Sequence, residues 1–134
     1  MKSLQKKDHL IAAKSYKLGD SDTRPWGMWQ VKDVGKHYIV KLISVRPGQR
    51  LSLQRHKHRS ERWVVVSGSG GIAEVNNVLT DLEPGVVIEI PCGAVHRLSN
   101  PSFQNLQIIE VQLGELLSED DIERLKDDYN RGPT

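Results

Sequence analysis

The stretch "LQRHKHRSERWVVV" runs from Leu53 to Val66, and the fold turns on how it is read. Gln54, His56 and His58 alternate with Arg55, Lys57 and Arg59. Residues two apart on a strand point to one side, so these three polar side chains share a face if the strand runs that far. Glu61 follows, and the residues after it are β-branched or aromatic, the types that favour strands. Electron-pair donors therefore stand where an apolar core is expected, which is the pattern of an enclosed ligand site.

Similar alternation recurs on either side, in "HYIVKLISV" (37–45), "VVIEIP" (86–91) and "NLQIIEVQ" (105–112). Turn signals separate these runs at Pro47-Gly48, Asn76-Asn77, Pro84-Gly85 and Asn100-Pro101. "SGSGG" (67–71) lacks the lysine and following helix of a phosphate-cradling loop and reads as a hairpin turn. Many short strands with no helical pattern between them predict an all-β fold, an antiparallel sandwich or barrel. Near the end, "SEDDIERLKDDYNR" (118–131) places Ser118 and Asp121 as a capping-box variant, with an apolar stripe at Ile122, Leu125 and Tyr129. That pattern predicts a short amphipathic helix over 118–130 docked on the barrel.

At 134 residues the chain has the size of one domain, with residues 1–23 as a polar, lysine-rich arm and 24–134 as the folded unit. The 19 basic and 17 acidic residues leave a net charge of +2, which gives no electrostatic case for nucleic acid or a membrane surface. A single cysteine, Cys92, excludes an intramolecular disulfide framework and suits a reducing compartment. No apolar run approaches the roughly 20 residues of a membrane span, and no signal-peptide pattern opens the chain. The expected location is the cytoplasm. An antiparallel sandwich or open barrel would leave edge strands for a two-fold homodimer to cover.

Two stretches share a logic of spacing. Gly48, Gln54, His56, Glu61 and Gly68 form the first; Gly85, Pro91, Gly93, His96 and Asn100 form the second. Pro91 and Gly93 set a turn that feeds His96 inward, so Gln54, His56, Glu61 and His96 can converge from two hairpins inside one barrel. Trp63, two residues after Glu61, should face the same side as that carboxylate. His9 and His37 lie outside both stretches and read as structural or exposed.

These two stretches resemble the paired motifs of the cupins, jelly-roll β-barrels that hold a metal inside, with Gln54 in place of the first motif histidine. More narrowly, "RPWG" (24–27), "VKLISVRPGQRLSLQRHKHRSERWVVVSG" (40–68), "IPCGAVHRLSNP" (90–101) and "IIEVQLGELLSEDDIERLKDDYNR" (108–131) resemble the type II mannose-6-phosphate isomerases. In that family the domain is commonly the C-terminal half of a bifunctional enzyme whose other half makes GDP-mannose. Nothing before Arg24 is long enough to supply such a half, so the resemblance implies the isomerase-like cupin standing alone. Arg62 stands where the family commonly has histidine, and Asn130 where it commonly has glycine.

The resemblance implies interconversion of mannose 6-phosphate and fructose 6-phosphate through a cis-enediol, assisted by a divalent ion on Gln54, His56, Glu61 and His96. Two imidazoles, a carboxylate and an amide oxygen suit zinc, with manganese, cobalt or iron as substitutes. With Glu61 the only anionic ligand, the centre keeps about one unit of positive charge. For proton transfer the candidates are His58, Glu110 and Lys41, the last two interrupting apolar strands. Arg24, Arg59 and Arg97 are candidates for the substrate phosphate. The alternative is a metal-loaded cupin that binds a sugar or sugar phosphate without turnover, and fold alone does not separate the two.

Overall fold

The computed structural model describes residues 16–131, so most of the proposed arm, including His9, lies outside the described residues. Eleven strands are present among them: β1 (Ser21–Arg24), β2 (Gly27–Val34), β3 (Tyr38–Val45), β4 (Leu53–Arg55), β5 (Ser60–Ser67), β6 (Gly71–Val75), β7 (Val78–Leu82), β8 (Val87–Ile90), β9 (His96–Ser99), β10 (Leu106–Leu113) and β11 (Glu123–Lys126). They form two antiparallel sheets, a six-stranded one in the order β1-β2-β3-β10-β5-β8 and a five-stranded one in the order β11-β4-β9-β6-β7. This is the all-β antiparallel fold that the alternation predicts, in the jelly-roll form that the resemblance implies. Among the described residues no helix is long and apolar enough to cross a membrane.

The alternation is visible strand by strand. In β3 the buried positions are Ile39, Lys41, Ile43 and Val45; in β5, Glu61, Trp63 and Val65; in β10, Leu106, Ile108, Glu110 and Gln112. Register aligns these rows, with Glu110 opposite Lys41 on one side and Trp63 on the other, and Gln112 opposite Glu61. One end of the inner face is consequently apolar, around Val45, Val65, Leu106 and Ile108. The other end carries Lys41, Glu61, Glu110 and Gln112. Continuous burial of the apolar end, with Leu82, Ile90 and Leu98 contributed from other strands, holds the sheets together.

Turn chemistry matches the backbone. Asn76 and Asn77 adopt φ of 48° and 69°, as a two-residue connection between β6 and β7 requires. Gly93 has φ of 81°, and its amide donates to the His56 carbonyl at 2.9 Å, tying the turn before His96 to the first motif. Asn100 is fully buried, and its amide group donates to the Val45 and Gln104 carbonyls at 2.9 and 2.7 Å, pegging the loop before β10.

Two local expectations are corrected. "SGSGG" does not join paired strands: β5 lies in the six-stranded sheet and β6 in the other, so this segment crosses between sheets. The same holds for β4 to β5 and β8 to β9, and each motif therefore bridges the two sheets instead of forming a hairpin. The helix expected over 118–130 is absent. Ser118 to Ile122 makes turns, and β11 pairs with β4 as an edge strand. The Asp121 carboxylate, expected to cap a helix, instead accepts the amides of Lys57 and His58 at 2.8 and 2.9 Å. Ladder bonds to β4 and an Arg55–Glu123 ion pair complete the docking. Amphipathic spacing thus yields to long-range backbone pairing.

Candidate metal centre

His56, Glu61 and His96 bring one donor atom each to within 4.8 Å of one another, and all three are buried. Glu61 comes from β5, His96 from β9 on the facing sheet, and His56 from the segment between β4 and β5. Both imidazoles are oriented by backbone. His56 Nδ1 lies 2.6 Å from the Asp121 carbonyl oxygen and His96 Nδ1 lies 2.9 Å from that of Ala94. A carbonyl only accepts, so each Nδ1 carries a proton, and in the neutral ring Nε2 presents its lone pair inward. His56 Nε2 is 3.2 Å from Glu61 Oε2, and His96 Nε2 is 3.9 Å from Glu61 Oε1. Trp63 faces the same side, as its spacing predicts, donating its indole N–H to Glu61 Oε1 at 3.0 Å and packing edge-on against the His96 ring.

Electrostatics suit a cation. Burial opposes the charge of Glu61, but the Arg59 guanidinium, 2.8 Å away, overrides it and holds the carboxyl well below its usual range. Burial pushes the His96 imidazole pKa down, against the pull of Glu61, so the ring stays neutral as a ligand must. Two imidazole nitrogens and one carboxylate form the donor set of a borderline divalent ion. Gln54, half-buried, is the cross-strand partner of His96. Its amide nitrogen donates to Ser52 Oγ at 3.1 Å and to the Ser52 carbonyl at 3.3 Å.

Beside the three donors lies a cavity of about 80 Å³ whose wall includes Lys41, Gln54, Arg59 and Glu110, with Arg24, Glu119, Arg124 and Arg131 also lining it. Lys41 donates to the Tyr16 hydroxyl at 3.0 Å, and its ammonium sits 4.1 and 4.2 Å from the Tyr16 and Trp29 ring centroids. Glu110 accepts from Gln112 Nε2 at 2.6 Å. Burial, together with the nearby Glu61 charge, raises the Glu110 pKa, opposed by Lys41 and Arg59.

The remaining candidates are dispersed. His58 is exposed, because β4 ends at Arg55 and the strand does not carry the alternation that far. Arg97 is buried as a brace, donating to the carbonyls of Leu51 and Lys126 at 3.1 Å each. Arg24 reaches the cavity, paired with Asp22 and Glu119. Arg59 lies against the metal donors themselves, with Nε 2.8 Å from Glu61 Oε2 and Nη2 3.2 Å from His56 Nε2. Sequence reasoning missed Arg124, Arg131 and Asp121. A helix assigned to their segment hid them, and only the pairing of β11 with β4 could have revealed them.

Fold and donor set together define a cupin whose His56, Glu61 and His96 form a group able to hold a metal ion. The family model described as "Mannose-6-phosphate isomerase C-terminal" matches residues 12–127, and the chain belongs to that family. It is 49% identical over 110 residues to the alginate biosynthesis protein AlgA of Pseudomonas aeruginosa, and 45% identical over 108 residues to the mannose-1-phosphate guanylyltransferase ManC of Salmonella typhimurium. Each alignment covers 81% of this chain and 22% of the relative, so the chain spans about a fifth of the length of those relatives. Among solved structures, a cupin-2 domain from Rhodospirillum rubrum superposes with a TM-score of 0.64 at 21% identity, over 80% of this chain and 82% of that one.

Proposed function

We propose that this domain interconverts mannose 6-phosphate and fructose 6-phosphate with a divalent ion, zinc or a substitute, on His56, Glu61, His96 and Gln54. The observation that carries the reading is the placement of Lys41 and Glu110. They are cross-strand partners on the inner face, they line one cavity, and Glu110 is a neighbour of Glu61 close enough to raise its pKa. A proton acceptor and a fixed cation next to a metal centre are what aldose–ketose exchange needs.

When bound, the ion supplies Lewis-acid stabilisation of negative charge at the sugar O1 and O2. Glu110, kept basic enough by burial, takes the proton from one of C1 and C2 and returns it to the other. Lys41, held between Tyr16 and Trp29 in the cavity wall, supplies the positive charge that stabilises the developing oxyanion. Arg24, Arg124 and Arg131 line the same space, whereas Arg97 does not line it and braces two backbone carbonyls, so the first three fit the phosphate better.

The second reading is a metal-loaded module that binds a sugar phosphate without turnover. In either reading the cavity of about 80 Å³, smaller than the few hundred Å³ of most small-molecule sites, has to widen to admit the sugar phosphate. A coupled assay for fructose 6-phosphate formed from mannose 6-phosphate, on chelator-treated protein with zinc or cobalt added back, decides between them. Metal-restored turnover is the expected result. Full metal loading without turnover would leave the binding module.

A further inference from the structure

Arg59 stands between the metal donors and the cavity. It lines the cavity, whereas His56, Glu61 and His96 do not, and its guanidinium is buried. With Nδ1 of His56 committed to the Asp121 carbonyl, the lone pair of the ring is on Nε2, and Arg59 Nη2 donates to it at 3.2 Å. An imidazole nitrogen has one lone pair, so it cannot accept this hydrogen bond and coordinate an ion together. Arg59 Nε also holds Glu61 Oε2 at 2.8 Å, and Nη1 reaches the Ser118 carbonyl at 3.2 Å. A dication on these donors would lie within a few ångströms of the guanidinium, where like charges repel strongly in a buried site.

We propose that Arg59 and a divalent ion compete for His56 Nε2 and Glu61 Oε2, so that the ion binds as the guanidinium turns out of the donor set into the cavity. Rotation of Arg59 exchanges one compensating cation on Glu61 for another, and the buried carboxylate is never left unpaired. It also removes the partition, opening the ion to the cavity, and adds the arginine to the positive charge of Arg24, Arg124 and Arg131. Arg59 is in this sense a positioning residue that couples loading of the centre to formation of the anion site. The inference rests on the metal-centre reading above.

The contrary role is a fixed brace that orients Glu61 for the ion, and the two differ in sign. In zinc competition against a chromophoric chelator, Arg59→Gln should bind zinc about tenfold or more tighter than the unmodified protein, because the charge-assisted bonds that the ion must break are gone. Equal or weaker binding by a folded Arg59→Gln overturns the proposal. A second measurement needs no variant. In ¹⁵N-labelled unmodified protein, the Arg59 Nε–H should lose its hydrogen-bonded shift and its protection from exchange on addition of one equivalent of zinc; persistence of both with zinc bound overturns the proposal. Absence of zinc uptake by the unmodified protein would instead remove the metal centre itself, and the inference with it.

Discussion

At the scale of single residues, orientation matters more than identity. His56 and His96 are useful because a backbone carbonyl holds each Nδ1–H, which aims Nε2 at Glu61. Loss of second-layer partners typically weakens metal sites by about 10–100-fold, so His56→Ala or His96→Ala should weaken zinc binding by more than about a hundredfold. Metal content by mass spectrometry after dialysis checks this. Glu110→Gln keeps the shape and loses the proposed proton acceptor. It should lower kcat by about 10²–10⁴-fold while metal content is unchanged, and a kinetic comparison of equally loaded proteins tests it.

Among the elements, the segment from Ser118 to Arg131 links the site to the fold. It supplies the carbonyl that orients His56, the carboxylate that accepts the Lys57 and His58 amides, and β11. Asp121→Ala leaves those two exposed amides to water and should cost about 0.5–1.5 kcal/mol. Thermal unfolding and faster amide exchange at Lys57 and His58 would register the loss. Further along, Asp127 accepts Arg131 Nε and Nη2 at 2.7 and 3.0 Å and the Arg131 amide at 2.9 Å. Burial opposes its charge, but these bonds lower its pKa from the ordinary 3.8 to about 2. A depressed carboxyl pKa stabilises the fold above the unfolded value, and the contribution disappears as pH falls from about 4 through 2. Urea unfolding at pH 5, 3 and 2 should therefore show stability falling across that window, less so in Asp127→Asn. Asn130, with φ of 58°, takes the left-handed position between these partners, a conformation that asparagine tolerates and glycine shares.

For the whole molecule, the inner face divides into an apolar end and a polar end. Ile108 is fully buried at the apolar end, and Ile108→Ala should cost about 2–5 kcal/mol. Zinc affinity should be unchanged, because the donors are fixed by hydrogen bonds at the other end. Denaturant unfolding and metal titration of the same variant check both halves of that statement. Strand alternation made the barrel legible beforehand, since side-chain direction on a strand is a local property of sequence. Topology was not legible, and the segments Leu53–Glu61 and Val87–His96 cross between sheets where hairpins were expected.

Local spacing by itself determined that Gln54 and His96 belong to strands, that Glu61 and Trp63 share a face, and that Lys41 and Glu110 interrupt apolar rows. Covalent geometry dictates those relations wherever a strand forms. Tertiary structure alone decided which arginine does what. Arg59 turns inward because Glu61, His56 and the Ser118 carbonyl surround it, whereas Arg97 is drawn to carbonyls of Leu51 and Lys126. It also decided that residues 123–126 form a strand, since β4 offers them a backbone ladder that no local pattern reveals. Long flexible side chains and edge segments take their conformation from partners distant in the chain, and those partners meet only once the two sheets have closed on each other.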